Sequence, residues 1–184
     1  MRSCLIACGL LAVLAGSALA QAGAIGIFRD PTGTICSFED KSPGVVPFYV
    51  VHIGTGGATA CQYAAPKPNC LTATFLSDTN VFPVTIGGSQ TGVSIGYGTC
   101  RSGPVHVQTI SYFMQGLTQA CCRYYVAADP NAESGTINIV DCATTEMAAS
   151  TIRTVINPTA GCPCGEPTAE ESTWGQVKNL YEED

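Results

Sequence analysis

Charge is scarce in this chain of 184 residues: 12% of its side chains are Asp, Glu, Lys or Arg, and eight basic residues face fourteen acidic ones. Beyond Arg2, the basic residues Arg29, Lys41, Lys67, Arg101, Arg123, Arg153 and Lys178 occur singly. No basic patch is available for nucleic acid or an anionic membrane, and neither partner is expected. Histidine is rarer still, with only His52 and His106. Two distant imidazoles, with no C-x-x-C anywhere, lack the ligand spacing of a zinc knuckle and the motif of a thiol oxidoreductase. No cofactor is expected. Long apolar periods of 3.6 residues are absent as well, which removes the crossover helices that a parallel α/β fold needs. The sole Asn-x-Ser/Thr triplet, Asn157-Pro158-Thr159, is blocked by its proline as a glycosylation acceptor.

The first twenty residues, MRSCLIACGLLAVLAGSALA, place Arg2 before an apolar run from Leu5 to Leu14 and end in Ala18-Leu19-Ala20. This is the pattern of a secretory signal peptide with an A-x-A cleavage site, so residues 1–20 are expected to be removed and Gln21 to begin the mature chain. Leu5-Ile6-Ala7-Cys8 has the look of a lipoprotein box, but the apolar region continues past Cys8, which favours the ordinary signal. No later stretch reaches the eighteen or more apolar residues of a spanning helix. The expected location is secreted: periplasmic, cell-surface or extracellular.

Cysteine carries the strongest chemical signal. Nine remain after the leader: Cys36, Cys61, Cys70, Cys100, Cys121, Cys122, Cys142, Cys162 and Cys164. In an exported chain they imply a disulfide framework, each bridge contributing roughly 2–4 kcal/mol. An odd number leaves one thiol free or pairs it with a second chain, so the oligomeric state stays open. Cys61, inside the strand-like GGATACQYA, is the expected unpaired thiol, and the other eight are the disulfide candidates. Adjacent Cys121 and Cys122 point to opposite faces of a strand, which favours separate partners. The connectivity itself is not legible.

From Ala24 to Pro158 the chain is a succession of short runs rich in Val, Ile, Thr, Tyr and Phe, cut by Gly, Pro, Asn and Asp. Such runs predict an all-β domain over residues 21–165, a disulfide-stapled antiparallel β-sandwich of the immunoglobulin-like or cohesin-like kind. VVPFYVVHI (residues 45–53) is apolar on both parities and reads as a strand covered on both sides, with Pro47 disturbing its start. ATTEMAAS (residues 143–150) reads as a turn of helix between strands.

Composition changes after residue 165. Six of the fourteen acidic residues fall in the last nineteen positions, which suggests a solvated linker and tail over 166–184. Within it STWGQVKNLY spaces Trp174, Val177 and Tyr181 at i, i+3 and i+7 behind Ser172 or Thr173 as N-cap, predicting a short amphipathic C-terminal helix. Ten residues containing Gly175 are marginal as an isolated helix, so those three apolar side chains are candidates for docking on the domain or on a partner. This ending resembles the T-W-G-x-(V/I)-K-x-L-Y endings of uncharacterised exported bacterial proteins. The stretches DPTGTICSFED, FYVVHIGTGGATACQYAAPKPNC and VFPVTIGGSQTGVSIGYGTC are similar to those of exported bacterial β-domains. The resemblance implies a secreted bacterial protein and carries over no activity; the separation of the tail from the core is what suggests its contact with a surface component or sorting machinery.

Two motifs invite chemistry. Gly92-Val93-Ser94-Ile95-Gly96 has the G-x-S-x-G spacing of a nucleophile elbow, which requires a strand before the serine and a helix after it. Two glycines and no helical period follow Ser94, no acid lies between Ser94 and His106, and no histidine lies beyond His106. Ser94, His52 and His106 are thus weak catalytic candidates, with Asp78 or Asp141 as conceivable acids. His52, alternating with Phe48 and Val50, reads as a covered, hydrogen-bonded imidazole. ADPNAESGTINIVD sets Asp129, Asn131 and Glu133 at alternate positions like the start of a calcium loop. Its glycine and twelfth residue are misplaced for one, and a hairpin turn explains the same residues. No metal is expected. The expected function is a non-catalytic exported β-sandwich module with a structural, adhesive or binding role. The alternatives are a small secreted serine hydrolase using Ser94 and a cysteine-based metal or redox protein.

Overall fold

The structure, a computed structural model, describes residues 22–164. Twelve strands and no helix are formed among them: β1 (Ala24–Phe28), β2 (Ser37–Phe38), β3 (Pro43–Ile53), β4 (Ala58–Tyr63), β5 (Ala73–Asn80), β6 (Val84–Gly88), β7 (Gly92–Arg101), β8 (Val105–Gln115), β9 (Cys122–Tyr124), β10 (Ile137–Asp141), β11 (Glu146–Ile152) and β12 (Thr154–Ile156). Nine of them make one sheet in the order β5-β8-β3-β1-β11-β10-β4-β7-β6, and β2-β12-β9 make a small second sheet.

The long sheet doubles over. Alternation along each strand supplies one apolar face: Val93, Ile95 and Tyr97 of β7 are buried while Ser94 and Gly96 are half-exposed, and Phe48 and Val50 of β3 are buried on the opposite half. Those faces meet in one core with Ile25, Ile27, Tyr63, Ile110, Tyr112 and Ile139. Polar groups cross the same interior in pairs: Tyr63 Oη donates to Gln108 Oε1 at 3.0 Å. At the open side, the edge strands β5 and β6 are tied together, with Asp78 accepting from the Ser89 amide at 2.7 Å and from its hydroxyl at 2.8 Å. The result is a β-sandwich. Phe48 packs edge-on against Phe38, Tyr112 and Tyr124, joining the small sheet to the core.

Four disulfides close the ends. Cys100–Cys142 staples the end where β7 passes to β8, and Cys36–Cys164, Cys70–Cys122 and Cys121–Cys162 gather at the other. Adjacent Cys121 and Cys122 take separate partners, with Cys121 at a left-handed φ of 60° that turns its side chain away from the strand. Cys61 is free and buried.

Three sequence expectations need correction. Pairing is not wholly antiparallel: β1 runs parallel to β11, and β12 parallel to β2. No crossover helix is needed, because the partners are far apart in sequence and the intervening chain is itself sheet. Residues 143–150 do not form a turn of helix. Asp141 Oδ1 accepts from the amides of Ala143 and Thr145, both at 2.8 Å, closing a tight turn into β11, whose Met147 and Ala149 pack on the core. Tertiary pairing to β10 and β1 overrides the local helical preference of Glu-Met-Ala-Ala. The strand containing VVPFYVVHI is central, between β1 and β8, but its outer side is open at the start, where Val45 is 63% exposed. Pro47 lies beyond Tyr49, the last position paired to β1, so no ladder bond is asked of it on that side. The C-terminal helix expected around Trp174, Val177 and Tyr181 lies outside the described residues.

The two glycines of G-x-S-x-G have different duties. Gly92 has φ +120°, and a Cβ there would overlap the Asp129 carboxylate, whereas a Cβ on Gly96 would meet Val84 at an ordinary 3.4 Å. Gly92→Ala should therefore cost about 3 kcal/mol, and Gly96→Ala no more than about 1 kcal/mol, measured by denaturant unfolding under non-reducing conditions. Equal and small losses at both positions would contradict this packing.

Candidate functional site

Ser94 is the third residue of the ten-residue strand β7, paired on both sides and followed by seven more strand residues rather than by a helix. Its cross-strand neighbours are Gln62 on β4 and Ile86 on β6. The side chain faces outward into a shallow depression of about 200 Å³ shared with Ala60, Gln62, Val84, Ile86 and Val140. An elbow exposes its serine at a strained turn where a helix start supplies an oxyanion donor, and none of that is present around Ser94.

The imidazoles are engaged elsewhere. His52, fully buried on β3, contacts the Ala22 carbonyl through Nε2 at 2.7 Å and Tyr97 Oη through Nδ1 at 3.1 Å. A carbonyl only accepts, so Nε2 carries the proton and Nδ1 accepts from the phenol. Nearby on β4, burial pushes the free Cys61 thiol up to about 12. Tyr97 and His52 thus form a chain from the core to the Ala22 carbonyl that fixes the start of the domain. Burial lowers the pKa of His52, with the Ala22 bond opposing it in part. His106, half-buried, contacts Gln108 O at 3.2 Å and Thr109 Oγ1 at 3.0 Å through Nε2 and sits edge-on to Tyr49. Burial lowers its pKa also. Neither ring is a bonding partner of Ser94.

The calcium-like loop is closed on itself. Asp129, nearly buried, accepts from the Asn131 amide at 2.8 Å, from Asn131 Nδ2 at 3.1 Å and from Gln62 Nε2 at 3.0 Å. This is an Asx turn that also clamps β4. Glu133 is exposed and takes no part. Among the described residues, no three His, Cys, Asp or Glu side chains gather as a metal site.

What these motifs missed lies at the end of the sandwich stapled by Cys100–Cys142. A cleft of about 580 Å³ opens between the β5–β6 turn and the β7–β8 turn, lined by Phe82, Tyr97, Thr99, Arg101, Ser102 and His106 among others. Phe82 and Tyr97 stack at 5.0 Å with a 32° tilt, and the Arg101 guanidinium lies 5.6 Å from the Phe82 ring centre. Nothing local in the sequence marks these residues as a group; only the approach of two turns unites them.

No protein-family model matches the chain, and no curated protein matches it in sequence. Similar solved structures include a non-cellulosomal cohesin from Archaeoglobus fulgidus, at 12% identity and TM-score 0.48 over 75% of this chain and 91% of that one. They also include a cohesin module from a Clostridium perfringens family 33 glycoside hydrolase, at 8% identity and TM-score 0.47 over 75% and 98%. The sixth cohesin of Acetivibrio cellulolyticus scaffoldin B, solved with a Cel5 dockerin, gives 14% identity and TM-score 0.46 over 76% and 100%.

The buried imidazoles make stability depend on pH. Both folded pKa values lie below the ordinary 6.5, so as pH falls the unfolded chain takes up protons first. Stability is full above about pH 6.5 and declines below it. Melting midpoints followed from pH 7.5 to 5.5 should fall, and His52→Gln should reduce that slope. An unchanged slope in the variant would contradict the role given to His52.

Proposed function

We propose that this protein is an exported, non-catalytic binding module. Residues 1–20 are removed on secretion, residues 21–165 fold oxidatively into the sandwich, and residues 166–184 carry the attachment segment with Trp174, Val177 and Tyr181. Four disulfides support a location outside the reducing cytoplasm. The observation that carries the non-catalytic reading is the position of Ser94, within regular strand pairing and outward, while both imidazoles are committed to structural hydrogen bonds. A serine hydroxyl without a base within reach has ordinary alcohol reactivity at neutral pH.

A panel of ester and amide substrates assayed with the mature chain and with Ser94→Ala should give no turnover above buffer in either. Serine-dependent hydrolysis would overturn the proposal. For the tail, deletion of residues 168–184 should leave the melting midpoint unchanged and release the protein from the cell surface; retention equal to the intact chain would remove the attachment role.

A further inference from the structure

Resting on the reading of a binding module, we propose that the cleft beside the Cys100–Cys142 bridge binds a carboxylate-bearing sugar, a uronic acid unit of an acidic polysaccharide. Its size falls within the 300–1,000 Å³ usual for small-ligand sites. Its floor is preorganised: Tyr97 is buried and held from beneath by His52, and Phe82 stacks on Tyr97.

The electrostatics select the ligand. Arg101 is the cation at this cleft, and no Asp or Glu lines it, although the chain as a whole is acidic. Among the described residues the one ion pair joins Lys41 to Glu39, so Arg101 has no carboxylate of its own. Stacking against Phe82 and attachment next to Cys100 restrict its guanidinium, whose planar fork suits bidentate capture of a carboxylate. The remaining chemistry suits a sugar rather than an aliphatic acid. An aromatic wall offers packing for the C–H face of a pyranose, while exposed Thr99 and Ser102 add hydroxyls at the rim.

The test is calorimetric titration of the full mature chain, at low ionic strength, with a galacturonic acid trisaccharide, its neutral galactose counterpart and phenylacetate. Binding of the acidic trisaccharide is expected, with affinity at least about tenfold above either control. Arg101→Ala and Phe82→Ala should each weaken it about tenfold or more, while Arg123→Ala, outside the cleft, should leave it unchanged; melting midpoints show which variants are folded. Equal binding of the neutral sugar would overturn the carboxylate assignment, and equal binding of phenylacetate would overturn the saccharide. Absence of binding to all three, or binding indifferent to Arg101 in a folded variant, would overturn the site. Each of those failures leaves the non-catalytic reading standing, because that reading falls only to serine-dependent turnover.

Discussion

A single sheet bent over on itself and covalently fastened at its ends is the constraint on which the rest of this protein depends. β1 pairs with β11 over a short parallel contact, and side chains from both halves of the sheet share one core. An open sheet of this length would expose a whole apolar face and two free edges. Here the face is buried, the edges β5 and β6 are joined through Asp78 and Ser89, and the disulfides bridge sequence separations of 41, 42, 52 and 128 residues. In the chain-entropy account, loops of that length contribute roughly 4–5 kcal/mol apiece, less where the loops overlap. Oxidation and folding are therefore coupled.

Within that framework several titratable side chains take structural partners. His52 is consumed in anchoring Ala22, Tyr97 in holding His52, and Asp129 in filling the space that Gly92 leaves open. His52, His106 and Asp129 are each satisfied by a structural partner, while Ser94 and Glu133 face outward. At the end turns, Arg101 lies over the Phe82 ring and next to the Cys100–Cys142 bridge. A rigid scaffold with a small variable rim is the usual economy of β-sandwich recognition.

The class of the fold was legible because runs such as AIGIF and VHVQTISYFM combine β-branched and aromatic residues at strand length. Less legible was β11, since Glu-Met-Ala-Ala favours a helix locally and becomes a strand only between two partners. Parallel pairing of β1 with β11 left no trace, because it joins segments about 126 residues apart. A disulfide framework followed from the leader and the number of cysteines, whereas the pairing of Cys36 with Cys164 depends on how the ends of the domain come together. G-x-S-x-G is set aside as an elbow on the sequence alone, because the helix and acid that should follow Ser94 are missing. Arg101 carried no signal: a lone arginine after a cysteine gains meaning only when Val81-Phe82-Pro83 folds toward it.

The account stands most directly on the four bridges and the enclosed thiol. Proteolysis of the oxidised mature chain after blocking free thiols under denaturing conditions, followed by non-reducing peptide mass mapping, tests them together. The expected result is the set Cys36–Cys164, Cys70–Cys122, Cys100–Cys142 and Cys121–Cys162, with Cys61 alone carrying the blocking group. A crosslinked Cys61, or Cys100 joined to any partner other than Cys142, would contradict the doubled sheet and the cleft built on its end.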